Sequence, residues 1–168
     1  AINEGNETVL VDIDTVTNGT ENGVQQQTVT ITDDDAQPTV TLSGGAAIAE
    51  NGGVATITAT LSATSGLPVT VNLLYSGTAT LTSDYTRSDT VITIPAGSLT
   101  GNVTITGVDD AINEGNETVL VDIDTVTNGT ENGVQQQTVT ITDDDAQPTV
   151  TLSGGAAIAE NGGVATIT

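Results

Sequence analysis

Apolar and polar residues alternate along much of this chain, which is the period of a half-buried β-strand. The clearest case is Val54–Leu61, where Ala55, Ile57, Ala59 and Leu61 are predicted to share one face. Most apolar residues are Val, Ile, Leu and Ala, and many of the polar ones are Thr, a mixture that favours pleated strands. Helical periodicity is absent, so the pattern predicts an all-β fold.

Seven such strands are predicted between residues 37 and 146, with turn signals between them. They cover residues 39–43, 54–61, 69–75, 90–94, 102–108, 118–124 and 137–142. Seven short strands in about 100 residues are typical of an immunoglobulin-like antiparallel sandwich. The chain has no Cys and no Trp, so it lacks the disulfide and core tryptophan of an antibody-type domain.

An exact repeat organises the chain. Residues 1–58 recur without change at residues 111–168, a period of 110 residues. A period of this length fits a whole domain better than one turn of a solenoid. We therefore predict one complete repeat at residues 37–146, the last strands of a preceding repeat at 1–36, and the first strands of a following repeat at 147–168. The sequence is expected to be a window from a longer tandem protein.

Composition excludes several classes of function. The chain has 22 Asp and Glu residues against one Arg, and its formal net charge is -21. Binding to nucleic acid or to an anionic membrane is excluded because both need a basic face. His, Cys and Met are absent, which removes zinc sites, haem ligation and Cys or His nucleophiles. The apolar runs are only a few residues long, so no membrane insertion is predicted.

Acidic residues gather where predicted strands end. Asp143, Asp144 and Asp145 close the last strand, and Asp109 and Asp110 close an earlier one. The ends of alternate strands meet at one pole of a sandwich, where two unit charges ~5 Å apart repel by about 3 kcal/mol at an effective dielectric of ~20. A divalent cation reverses that sign.

Calcium suits such a cluster because it accepts about six to eight oxygen ligands in a flexible geometry. Magnesium, which needs a stricter octahedron, ranks second. The alternative is an acidic coat that keeps the protein soluble. That alternative fits the scattered acids Asp89, Asp122, Asp124 and Glu131 better than a triple Asp at a domain junction.

Four segments resemble the Calx-beta domain family, which was first described in sodium–calcium exchangers and is frequent in long bacterial surface proteins. They are residues 49–53 (AENGG), 82–85 (TSDY), 108–117 (VDDAINEGNE) and 141–145 (ITDDD), in the order in which the family has them. The family fold is a seven-stranded immunoglobulin-like sandwich, in agreement with the strand pattern.

The resemblance implies calcium binding at the carboxy-terminal pole of the sandwich. The implied ligands are Glu50, Asp84, Asp109, Asp110, Glu114, Asp143, Asp144 and Asp145. Glu117 matches an acidic position beside this set. Ala111 stands where exchanger domains carry a third Asp, and Gly115 and Asn116 replace other acids, which implies fewer ions or weaker binding.

Partial copies of this ligand set flank the complete repeat. Glu4, Glu7 and residues 33–35 match the late ligands of a preceding repeat, and Glu160 matches the early ligand of a following one. Because the partners of each are missing, a full ligand set is predicted only for the central repeat.

The acidic run lies close to the start of the next repeat. Only Ala146 and Gln147 separate Asp145 from Pro148, and proline stiffens a linker. A cation held by this run would restrict the orientation of the next repeat. We therefore expect a calcium-stiffened structural extender or filament module of a large secreted protein at the cell surface, with neighbouring repeats of the same chain as its partners.

Three other functions stay open at the level of sequence. One is a calcium-dependent adhesin repeat that itself binds a glycan or a partner protein, although two Tyr residues supply few aromatic platforms. Another is an intracellular calcium sensor, which the exact repetition disfavours. Catalysis by paired carboxylates is the least favoured. Lateral self-association of chains is also open.

Overall fold

The computed structural model describes residues 2–168, and this part of the chain contains strands and no helix. Ala1, the first residue of the predicted partial repeat, lies outside the described residues. The strands are β1 (Glu7–Asp12), β2 (Gln26–Ile31), β3 (Thr39–Ser43), β4 (Ala47–Ala49), β5 (Val54–Leu61), β6 (Val69–Gly77), β7 (Tyr85–Arg87), β8 (Val91–Ile94), β9 (Thr100–Gly107), β10 (Glu117–Thr127), β11 (Thr130–Glu131) and β12 (Gln136–Thr142). Within residues 2–168 there is thus no helical segment of the length and apolarity that crossing a bilayer would require.

Strands β3 to β12 form a sandwich of two five-stranded sheets. One sheet has the order β4-β12-β10-β6-β8, and the other has the order β11-β3-β5-β9-β7. Alternate side chains of both sheets form one core, which consists of Val, Ile, Leu and Ala together with Tyr85. The immunoglobulin-like sandwich predicted from the sequence is confirmed.

All seven predicted strands form, but the sandwich has three more. Strands β4, β7 and β11 have 3, 3 and 2 residues, which is too short for an alternating pattern to show. Two of them also pair in parallel, β4 with β12 and β11 with β3. The prediction of a purely antiparallel, seven-stranded fold therefore needs correction at these sheet edges.

The chain changes sheets between β3 and β4 at two glycines. Gly44 has a φ of 108°, a conformation that residues with a Cβ rarely adopt. A Cβ at this position would also lie 2.0 Å from the carbonyl oxygen of Thr56. Glycine at position 44 is therefore what allows the first strand of the sandwich to cross over and cover the β12 edge.

The strand register gives the sandwich two distinct poles. Gly77 at the end of β6 pairs with Val119 near the start of β10. Strands β4, β9 and β12 end at this same pole, where β7 and β10 begin. We call it the acidic pole. Strand β3 begins at the opposite, amino-terminal pole, where β5 ends, so the chain enters the sandwich at one pole and leaves it at the other.

The repeated sequences at the two ends of the chain do not rebuild this sandwich. Strands β1 and β2 form a ribbon with the register of β10 and β12, shifted by 110 residues. Ile31 of the ribbon is 51% exposed, whereas its copy Ile141 is 3% exposed. Residues 147–168 contain one isolated bridge, between Gly154 and Ile167. The boundaries of the predicted repeats, at 37 and 146, stay a prediction.

Candidate metal centre

Loops from both sheets bring carboxylates together at the acidic pole. Glu50 follows β4, Asp84 precedes β7, and the pair Asp109 and Asp110 follows β9. Glu114 precedes β10, and the run 143–145 follows β12. The strand ends that meet here therefore bring all the residues predicted as ligands to one pole.

Seven of the eight predicted ligands fall into groups whose carboxylate oxygens lie within 4.8 Å of one another. The groups are Glu50 with Asp143 and Asp145, Glu50 with Asp109 and Asp144, and Asp84 with Glu114 and Glu117. Glu50 belongs to two groups and so joins the β12 run to the β9 loop. Asp110 is in none of these groups but lines the same cavity as Glu50, Asp84 and Glu114. The ligand role of each residue remains a prediction.

Glu50 is the buried centre of this cluster. Its side chain is 9% exposed, and its Oε1 atom has no hydrogen-bond partner among the described residues. The Glu50 amide donates a hydrogen bond to the carbonyl of Thr142 at 3.1 Å. Burial of a carboxylate oxygen without a partner is costly unless a cation or proton compensates it.

Glycine at position 107 allows β9 to approach the Glu50 backbone closely. A Cβ at Gly107 would lie 2.6 Å from the carbonyl oxygen of Ala49 and 2.8 Å from that of Glu50. The two sheets therefore meet closely at the backbone of Ala49 and Glu50.

Amide side chains orient the triple Asp run. Asn113 Nδ2 donates to Asp143 Oδ2 at 2.6 Å and to the carbonyl of Asp145 at 2.9 Å. Asn51 Nδ2 donates to Asp144 Oδ2 at 2.7 Å. Asp145 Oδ2 is buried and has no partner among the described residues. Sequence reasoning missed both asparagines, because it searched for acids; their position inside the two acidic loops was the available signal.

Burial, and after it the charge of neighbouring carboxylates, raises several pKa values at this pole. Burial, followed by the charges of Asp143 and Asp145, raises the pKa of Glu50 to about 7. Burial and the neighbouring carboxylate of Asp84 raise the pKa of Glu117 to about 7. The pKa of Glu114 and that of Asp145 are also raised, mainly by burial.

The donor set fits a hard divalent cation. All the grouped side chains are carboxylates, and two of their oxygens are buried without partners. The chain's one cationic side chain, Arg87, lies over the ring of Tyr75 at 4.3 Å from its centroid. Calcium is the cation that such flexible, all-oxygen loops suit best.

This fold and its acidic pole define a β-sandwich domain of a calcium-binding type. The family model of the Calx-beta domain matches residues 33–145, which is more than half of the chain. The chain therefore belongs to the Calx-beta domain family.

Solved structures of Calx domains have the same fold. CBD12 from CALX1.2 is 20% identical with a TM-score of 0.56, and the match covers 63% of this chain and 45% of that chain. The apo-form Calx CBD1 domain is 20% identical with a TM-score of 0.54, over 64% of this chain and 99% of that chain. The calcium binding domain CBD12 of CALX1.1 is 22% identical with a TM-score of 0.56, over 63% and 44%.

The chain thus spans less than half of either CBD12 structure. At these identities the similarity establishes the fold alone. None of the curated protein sequences matches the chain.

The raised pKa values predict that the metal-free protein is more stable at pH 5 than at pH 8. The pKa of Glu50 is about 7 in the folded state against 4.5 for the unconstrained group, so the folded state binds more protons between these values. Stability must therefore fall as the pH rises from 4.5 through 7. Glu117 acts in the same direction.

Thermal melts in EDTA from pH 5 to pH 8 measure this effect. The double variant Glu50→Gln, Glu117→Gln is expected to show a much smaller decline than the wild type. A wild-type melting temperature that rises over this pH range would contradict the prediction.

Proposed function

We propose that the complete repeat is a structural extender of a secreted cell-surface protein, and that calcium at its acidic pole stiffens the exit to the next repeat. The observation that carries this proposal is Glu50, a buried carboxylate with an unpartnered oxygen that faces the Asp143–Asp145 run. That run is the segment through which the chain leaves the sandwich.

The positions of these residues suggest how calcium would act on the segment 143–145, through which the chain leaves the sandwich. The backbone amide of Glu50 donates a hydrogen bond to the carbonyl of Thr142 at the end of β12, whereas Asp143 and Asp145 belong to the segment that leaves the sandwich. A bound calcium ion supplies the positive charge that cancels the repulsion among these carboxylates. Glu50 and the run can then stay close together, so the exit segment loses its freedom to reorient. Affinities of about 10⁻⁴ to 10⁻³ M are expected, as in other extracellular modules.

Asp84, Glu114 and Glu117 form a separate position that would hold an ion less readily. It gathers three carboxylates, whereas the two groups that share Glu50 together gather five. The pKa values of Glu117 and Glu50 are both raised to about 7, so a proton competes with a cation equally at both positions. We expect occupation of the two Glu50 groups first, with magnesium as a weaker competitor.

The two tyrosines do not favour the alternative of a glycan-binding adhesin. Tyr85 is buried at 4% exposure, and the ring of Tyr75 is covered by Arg87. Tyr85 is therefore closed to a stacked sugar, and Arg87 takes up one face of the Tyr75 ring. Neighbouring repeats of the same chain are therefore the proposed partners, an extracellular location is proposed with them, and lateral association of chains is the secondary possibility.

Small-angle scattering of a chain lengthened by one further 110-residue period tests the extender. Calcium should increase its maximum dimension and narrow its conformational distribution relative to EDTA, because the junction between the two complete repeats becomes fixed. Glu50→Gln should remove most of this difference.

The chain offers a matched control for this experiment. In the lengthened protein Glu160 becomes the early ligand of the second complete repeat, whose acidic pole lies beyond the junction. Glu160→Gln should therefore remove as much bound calcium as Glu50→Gln but leave the scattering change largely in place. Profiles that are the same in calcium and in EDTA would contradict the extender.

A further inference from the structure

Residues 3 and 4, which precede β1 of the ribbon, contact the complete repeat at the turn formed by Ser65 and Gly66. The backbone carbonyl of Asn3 accepts a hydrogen bond from the Gly66 amide at 2.8 Å and another from Ser65 Oγ at 3.3 Å. Asn3 and Ser65 form a parallel β-bridge, and Ser65 is 1% exposed. This turn precedes β6 and therefore lies at the amino-terminal pole.

The side chain of Asn3 holds the acidic run of its own ribbon. Its Nδ2 atom donates to Asp33 Oδ2 at 2.9 Å and to the carbonyl of Asp35 at 3.1 Å. Asn113 makes the equivalent two bonds in the complete repeat. Because the ribbon lacks the other strands of a sandwich, the clamp forms from the two loops alone.

The absence of a side chain at Gly66 makes room for Asn3 and Glu4. A Cβ at position 66 would lie 2.9 Å from Glu4 Cβ and 3.3 Å from the Asn3 carbonyl oxygen. The three nearest atoms all belong to Asn3 and Glu4 in the segment before β1, and the φ of Gly66 is outside the left-handed region. The backbone of the turn does not itself require glycine, so the close approach of the ribbon accounts for it.

We propose that the Ser65–Gly66 turn is the docking site for the acidic-pole loop of the preceding repeat, and that Asn3 joins this contact to the Asp run. The occupant is the segment 2–5 or its copy in another repeat. The proposal rests on the proposed function only in taking the ribbon as the end of a preceding repeat, which the exact repetition supports. The contact itself needs no cation.

Amide hydrogen exchange of the whole 168-residue chain in EDTA tests the docking. The Gly66 amide should be protected in the wild type, and Gly66→Ala should lower the protection at position 66 by about tenfold, the loss of one hydrogen bond. Gly5→Ala is the matched control, because a Cβ at Gly5 meets no atom within 4 Å. Equal protection at position 66 in wild type and both variants overturns the proposal.

A second pair of variants tests the clamp without touching the turn. Asn3→Ala should lower the protection of the Gly66 amide by a similar factor, while Asn113→Ala, the same change at the opposite pole, should leave it unchanged. Neither result depends on the folding of an altered turn. Because both are read in EDTA, a failure of docking is distinguishable from a failure of calcium binding. Full protection of Gly66 in Asn3→Ala overturns the coupling to the Asp run.

Discussion

Saturating calcium should raise the melting temperature of this chain by roughly 10 °C or more. A ligand at one hundred times its dissociation constant stabilises the folded state by about 2.7 kcal/mol. For a domain of about 100 residues, each kcal/mol shifts the melting temperature by roughly 4–8 °C. The physical source is the relief of repulsion at a pole where Glu50 and the Asp run are packed without a cation.

Glu50→Gln should abolish most of this calcium-dependent shift. Glu160→Gln is the matched control, since residues 160 and 50 have the same sequence around them but Glu160 lies in a segment without late ligands. Calorimetric melts in EDTA and in calcium at about one hundred times the dissociation constant, which is roughly 10–100 mM for the affinities proposed above, give both values. Equal shifts for the two variants would remove Glu50 from the site.

The melts in EDTA provide an independent check on Glu50. Because its pKa is raised to about 7, the charged form destabilises the fold at pH 8. Glu50→Gln should therefore melt no lower than the wild type in EDTA, even though it loses the calcium effect. A strong loss of stability in EDTA would instead indicate that the carboxylate is needed for packing.

Ile141→Ala should lower the free energy of unfolding by about 2–5 kcal/mol, the usual cost of removing a large aliphatic side chain from a core. Ile31→Ala should change it by less than about 0.5 kcal/mol, the range of exposed sites. The two isoleucines have the same neighbours in sequence. Each also pairs with the equivalent residue of the adjacent strand, Ile31 with Glu7 and Ile141 with Glu117. They differ in that Ile141 is 3% exposed and Ile31 is 51% exposed.

Urea unfolding of both variants, followed by far-ultraviolet circular dichroism, measures the difference. Because the two sites have the same local sequence, a difference in strand propensity cannot explain a difference in unfolding free energy between the two variants. If Ile31→Ala were as destabilising as Ile141→Ala, Ile31 would have to be packed against an apolar surface. That result would contradict the exposure of Ile31 described above.

Alternation of residue type was enough to predict the main strands because one face of each is buried. In β5, Ala55, Ile57, Ala59 and Leu61 are all buried, as the pattern indicated. The three edge strands could not be predicted in this way, since β4 and β11 are set by backbone pairing with β12 and β3. Hydrophobic period carries no information on whether an edge pair is parallel.

The acidic residues of the site could be predicted from the sequence, but the uncharged residues that hold the acidic loops in place could not. A run such as Asp143–Asp145 is visible in the sequence because so many like charges require compensation. Asn113 carries no charge and follows no period, so its clamp becomes visible only when β10 and β12 place the two loops together. The role of Gly66 depends on residues 62 and 63 positions earlier, at Glu4 and Asn3, which no local pattern reports.

The chain enters the sandwich at one pole and leaves it at the other. A pulling force on the chain would therefore act along the length of the sandwich. A pull along a string of repeats acts on β3 and β4 toward one pole and on β12 toward the other. Strands β4 and β12 run in parallel, with Ala47–Ala49 beside Thr140–Thr142. Such a load slides the two strands past each other, so their hydrogen bonds must break together instead of one after another. We therefore expect the short parallel pair of β4 and β12 to resist a pull between the two poles.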